Sequence, residues 1–304
     1  MAYRPIYVEI HLHSSLEDVW RLTQTPDLHT RWDMRFNDIE YLPRSEDSQP
    51  QRFYYRTRIG FGLNISGEGE SLGRHETSGE RTSSLKFWSS DRKSLIREGS
   101  GYWKYIQTDD GLRFLTQYDY RTRFGFPGRW LDALVFRPLL GWATAWSFDR
   151  LRLWLEKGIA PEISWERSAI HAVARITLAL IWIYQGAIPK VLFPDSRELE
   201  QLRGYSLFSG WEQMALLCLG WVEIIFGFLL ILLWSKRTLF VINALLLGVL
   251  LCGAAVSSPS ILKAPFNPLT LSLGMIALCL TGYWSSRELP SSRRCFRRPQ
   301  SERS

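Results

Sequence analysis

Residues 171–194 read HAVARITLALIWIYQGAIPKVLFP, and residues 220–233 read GWVEIIFGFLLILL. Neither alternates like a strand, and neither carries the polar stripe of a helix lying on a water-soluble core. Both belong to longer apolar runs. Residues 168–189 contain Arg175 and His171 near their start, and residues 213–234 contain Glu223 as their one charged group. Two further uncharged runs occupy 238–258 and 264–284, the last with Pro265 and Pro268 near its beginning. At about 1.5 Å per residue, each run is long enough for a hydrocarbon core of about 30 Å. Four of them in one stretch leave too little polar surface to cover them in water. The spacing predicts an all-α four-helix transmembrane bundle over 166–286.

The rest of the 304-residue chain differs in kind. Residues 1–167 hold 24 Lys/Arg against 23 Asp/Glu, whereas residues 168–304 hold 13 against 7. A single soluble domain, a fibre and a disordered chain are excluded by this division. The basic excess lies beside apolar spans and in the tail, so nucleic acid is not an expected partner. Four cysteines (Cys218, Cys252, Cys279 and Cys295) form no CxxC or Cys/His cluster, so neither a disulfide framework nor a metal or redox centre is expected. MAYRPIYVEIHLH lacks the apolar core of a signal peptide, which predicts that the first half stays in the cytoplasm.

Basic residues set the orientation. Lys236 and Arg237 lie between runs two and three, and Arg287, Arg293, Arg294, Arg297, Arg298 and Arg303 follow run four. Arg150, Arg152, Lys157 and Arg167 precede run one. Positive-inside counting therefore predicts a multi-pass inner (plasma) membrane protein of four spans with both termini cytoplasmic. Lys190, Arg197 and Arg203 in the 1–2 connection argue the other way.

Ionisable groups inside spans are the informative exceptions. Glu223 falls near the midplane and Arg175 closer to the cytoplasmic side, so an Arg175–Glu223 pair is expected. Lys190 and Glu212 lie together at the opposite side as a second candidate pair. Snorkelling is the alternative for Arg175, Lys190 and Glu212. For Glu223 the alternatives are a structural polar contact and a ligand for a proton or a head group. The Arg in the first span, YQGAIPK and the GxxE of the second resemble the DoxX-like family of small four-helix membrane proteins. The resemblance implies a fold, and through the family's association with quinone-linked enzymes it raises a quinone or lipid as a possible ligand.

In the first half, IYVEIHLH alternates like a strand, and SSLEDVWRLTQ follows with Ser14 or Ser15 as a helix N-cap. A second short helix is predicted over 26–32. Strands are predicted over 36–42, 52–59, 63–73, 82–89, 99–108 and 112–124, with Asp110-Gly111 as a hairpin turn. After Pro127 the pattern is helical, with Pro138 dividing it. EDVWRLTQTPDLHTRWD, the six later strands and FRPLLGWATAWSFDRLRLWLE resemble the START-like superfamily (SRPBCC, polyketide-cyclase-like). That resemblance implies an α+β helix-grip domain over 1–158, a curved antiparallel sheet around a long C-terminal helix with a cavity between them. Residues 287–304 are expected to be a basic disordered tail.

Cavity candidates are Tyr54, Arg56, Trp88, Trp103, Tyr105, Tyr118 and Tyr120 from strands and Trp142 and Trp146 from the helix. Alternation pairs them by face without choosing the inward one. Ordinary core packing is the alternative for each. His11 and His13 share a strand face, but no acidic or Cys partner is evident, so no metal site is expected there. The glycines of GFGLNISGEGESLG lack the spacing of a phosphate loop. The segment 130–154, rich in Trp, is expected to lie on a lipid surface. The leading expectation is non-enzymatic: binding of a hydrophobic or lipid-like ligand by a membrane-tethered cavity. The rival is an accessory subunit of a quinone-linked oxidoreductase, with Arg175 and Glu223 at an intramembrane site and a membrane-protein partner. A cyclase or dehydratase activity in the soluble cavity lacks an acid/base pair in this reading.

Overall fold

The computed structural model describes residues 4–299 apart from 45, 47–48, 60–61, 195–198, 200–201, 204–208 and 258–266. The chain forms two units, Met1–Ser164 with Pro290–Ser304, and Trp165–Leu289.

In the first unit, strand β1 (Ile6–Leu12) leads to helix α1 (Leu16–Gln24) and helix α2 (Pro26–Trp32). Ser15 caps α1 by accepting from the Asp18 N–H at 3.1 Å, and Pro26 opens α2. Then come β2 (Asp38–Tyr41), β3 (Arg52–Arg58), β4 (Asn64–Thr77), β5 (Glu80–Trp88), β6 (Ile96–Thr108) and β7 (Gly111–Thr122). All pairings are antiparallel, in the order β1-β7-β6-β5-β4-β3-β2. The helical stretch is divided as Pro138 requires. Helix α3 (Gly125–Leu131) runs into a π-helical turn over Asp132–Phe136, and α4 (Arg137–Lys157) restarts with the proline in its first turn. The core lies between sheet and α4: Val8, Ile10 and Leu12 of β1 and Phe114 of β7 meet Ala145, Phe148 and Leu151. The Phe114 and Phe148 rings stack at 4.5 Å. This is the helix-grip arrangement expected from the order of elements.

The described part of the tail, up to residue 299, differs from expectation, and residues 300–304 lie outside the described residues. Instead of disorder, Ser292–Arg294 form a 3₁₀ turn, and Phe296 pairs with Glu9 through reciprocal backbone hydrogen bonds of 3.0 and 2.8 Å. The Ser291 N–H donates to Asp149 Oδ2 at 2.7 Å, and Arg294 reaches the same oxygen at 3.4 Å. Cys295 is buried, its thiol donating to the Ala145 carbonyl. The physical reason is that β1 is an edge strand with open backbone groups, and Asp149 is a buried carboxylate on α4. Basic composition alone does not reveal either partner.

In the second unit, α5 (Pro161–Gly186) starts in the first unit and continues into a π-helical turn over Ala187–Leu192. Helices α6 (Glu212–Leu232), α7 (Thr238–Ser257) and α8 (Pro268–Ser285) follow. Gly220 of α6 lies against the Lys190 Cβ and the Gly186 carbonyl, where a side chain would collide. Ala174, Leu178, Trp182, Leu230, Phe240, Met275 and Cys279 form the interior. Large apolar side chains such as Val173, Trp221, Val222, Leu232 and Val249 face outward, as lipid-facing residues do. Among the described residues, three helices are long and apolar enough to cross a membrane: Pro161–Leu192, Glu212–Leu232 and Pro268–Ser285. Within α7 the apolar stretch Thr238–Gly253 is shorter, so the expected four full-length spans are not met on this measure among the described residues. The expected start of the fourth run, at Ala264, lies outside the described residues.

Asp149 joins the tail to α4 and also accepts from Arg152 at 2.7 Å. Replacing Asp149 with Ala should destabilise the first unit by about 1–3 kcal/mol, because it leaves buried donors without an acceptor. Thermal unfolding checks this, together with faster proteolysis at the Arg293–Arg298 cluster. An unchanged midpoint and cleavage rate would show that the tail does not dock there.

Candidate functional site

A cavity of about 510 Å³ lies between the sheet and α4. Its position follows from local sequence. In β3, Phe53, Tyr55 and Thr57 point inward, and the rings of Phe53 and Tyr55 lie across Gly69 and Gly67 of β4. A Cβ at either glycine would strike the ring, so this glycine-rich strand makes room for aromatic cavity walls. Phe87, Trp103 and Tyr118 continue the wall, and Leu139, Leu140 and Trp142 close it from α4.

Two polar spots interrupt the apolar lining. At the first, Tyr105 reaches Thr23 at 2.7 Å and receives a hydrogen bond from Gln24 at 3.0 Å, beside Ser83. The second follows α2. Asp33 is fully buried and accepts from Arg35 Nε at 2.8 Å and Arg35 Nη2 at 2.5 Å. His29 Nε2, four residues back on the helix, lies 3.0 Å from Asp33 Oδ2, the oxygen that also accepts from Arg35 Nη2. His29 is seated edge-on to Trp103 at 4.9 Å, and the Arg35 guanidinium lies 5.6 Å from the Tyr118 ring. His29, Arg35, Trp103 and Tyr118 all line the cavity.

Burial by itself would raise the Asp33 carboxyl, but the Arg35 charge and its two hydrogen bonds, helped by His29, hold it well below the usual carboxylate range. Burial likewise opposes the charge on Arg35, and Asp33 more than offsets this, so its pKa is raised. Burial pushes the Tyr55 phenol up to about 12 and raises Tyr118 as well. At neutral pH the cavity therefore presents neutral phenols, a fixed ion pair and a broad apolar surface.

Of the expected cavity residues, Trp103, Tyr118 and Trp142 line it. Tyr105 and Tyr120 are core residues, and Trp146 is buried behind Trp142 with the rings 6.3 Å apart. Tyr120 donates to the buried Asp132 at 2.6 Å. Tyr54, Arg56 and Trp88 are a correction, because they sit on the other face of the sheet. Tyr54 opposes Glu68, Glu68 opposes Trp88, and Arg56 is exposed within 3.9 Å of Asp38. The inward set on β3 is shifted by one residue, which reverses every side chain. Asp33, Arg35, His29 and Tyr55 were missed. The clustering of Asp33 and Arg35 around the end of α2 was their only local signal.

The intramembrane pairs are also corrected. Arg175 is fully buried and donates to the carbonyls of Leu230 and Leu233 and of Lys236, each at 2.9 Å, with its guanidinium 4.6 Å from the Phe240 ring. It caps the C-terminus of α6, where carbonyls lack intrahelical partners. Glu223 pairs instead with Lys190 at 2.9 Å, and both are buried. Glu212 accepts from the Gly210 N–H at 3.1 Å. Helix register explains the exchange. Gly186 meets Gly220 and Gly227 meets Ala179, which places Arg175 level with the last turn of α6. Glu223 is then about 12 Å away along the axis at about 1.5 Å per residue.

Replacing Arg35 with Leu leaves Asp33 buried without its main partner, at a cost of about 3–5 kcal/mol near neutral pH. The pH dependence should change sign. In the native chain Asp33 is depressed, so its contribution is present above the ordinary carboxylate range and is lost as pH falls below it. In the variant burial without Arg35 raises the Asp33 carboxyl, and a proton on it relieves the buried charge, so the deficit should shrink as pH falls from 7 to 5. Thermal midpoints across that range check it, and a pH-independent deficit would contradict the pairing.

Several known proteins resemble the chain. Its fold is similar to the STAR-related lipid transfer protein (fragment 25–204) of Xanthomonas axonopodis, at 15% identity over 48% of this chain and 82% of that one, with a TM-score of 0.38. An uncharacterized protein from Rhizobium leguminosarum is similar at 13% identity over 50% and 94% of the two chains, with a TM-score of 0.36. Residues 179–280 match the DoxX-like family. The uncharacterized membrane protein YndG of Bacillus subtilis (strain 168) is 52% identical over 188 residues, which is 61% of this chain and 70% of that protein. The chain belongs to the family of this bacterial membrane protein, and its second unit carries a DoxX-like segment.

Proposed function

We propose that the first unit captures a hydrophobic or lipid-like molecule with a polar end, and that the second unit keeps it at a bilayer. The carrying observation is the cavity itself. Its volume of about 510 Å³ suits a small organic ligand, its walls are largely aromatic and aliphatic, and its polar lining includes the hydrogen-bonded clusters at Thr23–Gln24 and at His29–Arg35. The Arg35–Asp33 pair offers guanidinium N–H groups to a ligand's oxygen atoms while the tail of the ligand stays among Phe53, Phe87 and Trp142. Tethering raises the effective concentration of a membrane-dissolved ligand at the cavity. Phe126, Trp130, Leu134 and Leu139 are exposed on α3, the π-helical turn and α4, and Leu139 also lines the cavity. This apolar surface suits entry from a lipid interface. It is narrower than the segment expected from sequence, because Phe148, Leu151 and Leu153 of α4 are buried. The rival reading required Arg175 and Glu223 at one site, and each has a different partner.

The same reading includes a topology. Phe296 is hydrogen-bonded to β1 in the first unit, so the chain leaves that unit after Ser164 and re-enters it at Pro290. A chain that does so crosses a bilayer an even number of times. Three long spans therefore need α7, whose 20 residues reach about 30 Å at about 1.5 Å per residue. The basic pair Lys236 and Arg237 supports a cytoplasmic 2–3 connection and, with it, a cytoplasmic first unit.

Two measurements test these proposals. The full chain in detergent should retain lipid-like material by mass spectrometry and bind a fluorescent fatty-acid analogue. Ser83→Trp, which fills the cavity, should lower that binding by about tenfold or more while leaving the fold intact. Equal binding by the variant would remove the cavity from the function. For topology, single cysteines are placed in an otherwise cysteine-free chain in intact cells. An impermeant maleimide should label Ser209→Cys and spare Ser235→Cys. The reverse pattern would overturn the cytoplasmic placement of the first unit, and equal labelling would overturn the crossing by α6 on which the arrangement rests.

A further inference from the structure

Away from the cavity, three metal-ligating side chains from distant parts of the sequence meet at one end of the sheet. His11 lies in β1 and His13 just beyond its end, on the same face. Asp110 lies in the turn between β6 and β7. Because β7 pairs with β1, with His11 opposite Arg113 and Leu12 opposite Leu112, that turn is carried alongside the histidines. One ligand atom from each of His11, His13 and Asp110 lies within 4.8 Å of the others. His11 Nε2 is 3.1 Å from Asp110 Oδ1, and the Thr108 hydroxyl is 3.3 Å from that nitrogen and 3.2 Å from that oxygen. His13 Nδ1 is 2.9 Å from the Asp110 carbonyl oxygen, and the two imidazole rings are 5.0 Å apart.

These spacings suit a metal ion. Zinc–nitrogen and zinc–oxygen bonds of about 2.0–2.2 Å at tetrahedral angles set neighbouring ligand atoms about 3.3 Å apart. The His11 and Asp110 atoms already have nearly that separation, and a His13 ring nitrogen lies within 4.8 Å of both. Two imidazoles and one carboxylate, without a thiolate, select a divalent ion of borderline softness over calcium or magnesium. Asp110 is 71% exposed at its side chain, so water can fill the remaining positions and an ion can enter from solvent. The His13 N–H donates to Glu156 Oε1 at 2.9 Å near the end of α4. An ion here therefore ties β1, the β6–β7 turn and the end of α4 into one corner.

We propose that His11, His13 and Asp110 form a binding site for one divalent transition-metal ion of the zinc class. The site does not depend on the cavity's ligand. It was not legible along the chain because its carboxylate comes from a hairpin almost a hundred residues away.

The test uses the full chain in detergent, without a histidine tag and stripped with chelator. Calorimetric titration with zinc chloride should give one ion per chain with a Kd below about 50 μM. Asp110→Asn, which keeps the shape of the turn, and His11→Ala should each weaken binding by about tenfold or more. His75→Ala, at an exposed histidine elsewhere, should not. As a control for folding, saturating zinc should raise the thermal midpoint of the native chain and leave that of Asp110→Asn unmoved. Weaker binding by the native chain, or zinc binding and zinc stabilisation that survive both site variants, would overturn the assignment.

Discussion

A charge taken out of water persists in a folded chain only where an opposite charge or a set of backbone dipoles receives it. Both units of this protein are organised around such receptors. In the first, Asp33 takes Arg35 and His29 at the cavity wall, and Asp149 takes Arg152, Arg294 and the Ser291 N–H on the far side of α4. In the second, Arg175 is received by carbonyls at the end of α6, and Lys190 by Glu223. The arrangement at Asp33 bears on function most directly. It keeps a buried ion pair at the wall of a largely apolar chamber, in a low-dielectric setting.

The receptor at Asp149 has a consequence beyond stability. It draws the segment after the last span back onto α4, and the open edge of β1 completes the attachment through Phe296. An edge strand left unpaired is a site for unwanted association, and here the chain covers its own. The same contact gathers both ends of the described chain into one unit.

The order of elements was legible in the sequence, and so was much of their extent. Strand β3 was expected at 52–59 and runs Arg52–Arg58, and α2 matches its expected range. The cavity was legible only in part. Alternation in β3 is equally regular whether Tyr54 and Arg56 or Phe53 and Tyr55 face inward, and the choice is made by what lies across the sheet. Gly67 and Gly69 of β4 leave room for the rings of Tyr55 and Phe53 on the inner face. Arg35 and His29 escaped notice because a charged residue next to a short helix is usually solvated, and only the packing of Trp103 and Tyr118 over them makes them part of a wall.

The membrane segment follows the same division. Apolar runs, their lengths and the bias of basic residues are properties of the chain taken locally, because transfer into lipid depends on what each segment is made of. The sequence by itself therefore determined that the chain has two unlike halves, that the second half belongs in a bilayer, and that the first alternates as a sheet with a long closing helix. Partners are not local. Whether Arg175 meets Glu223 or the end of α6, which face of a strand is inward, where the basic tail lies and which carboxylate approaches His11 all depend on the register between segments distant in sequence. That register is set by close packing at contacts such as Gly186 with Gly220, so only the tertiary structure decided them.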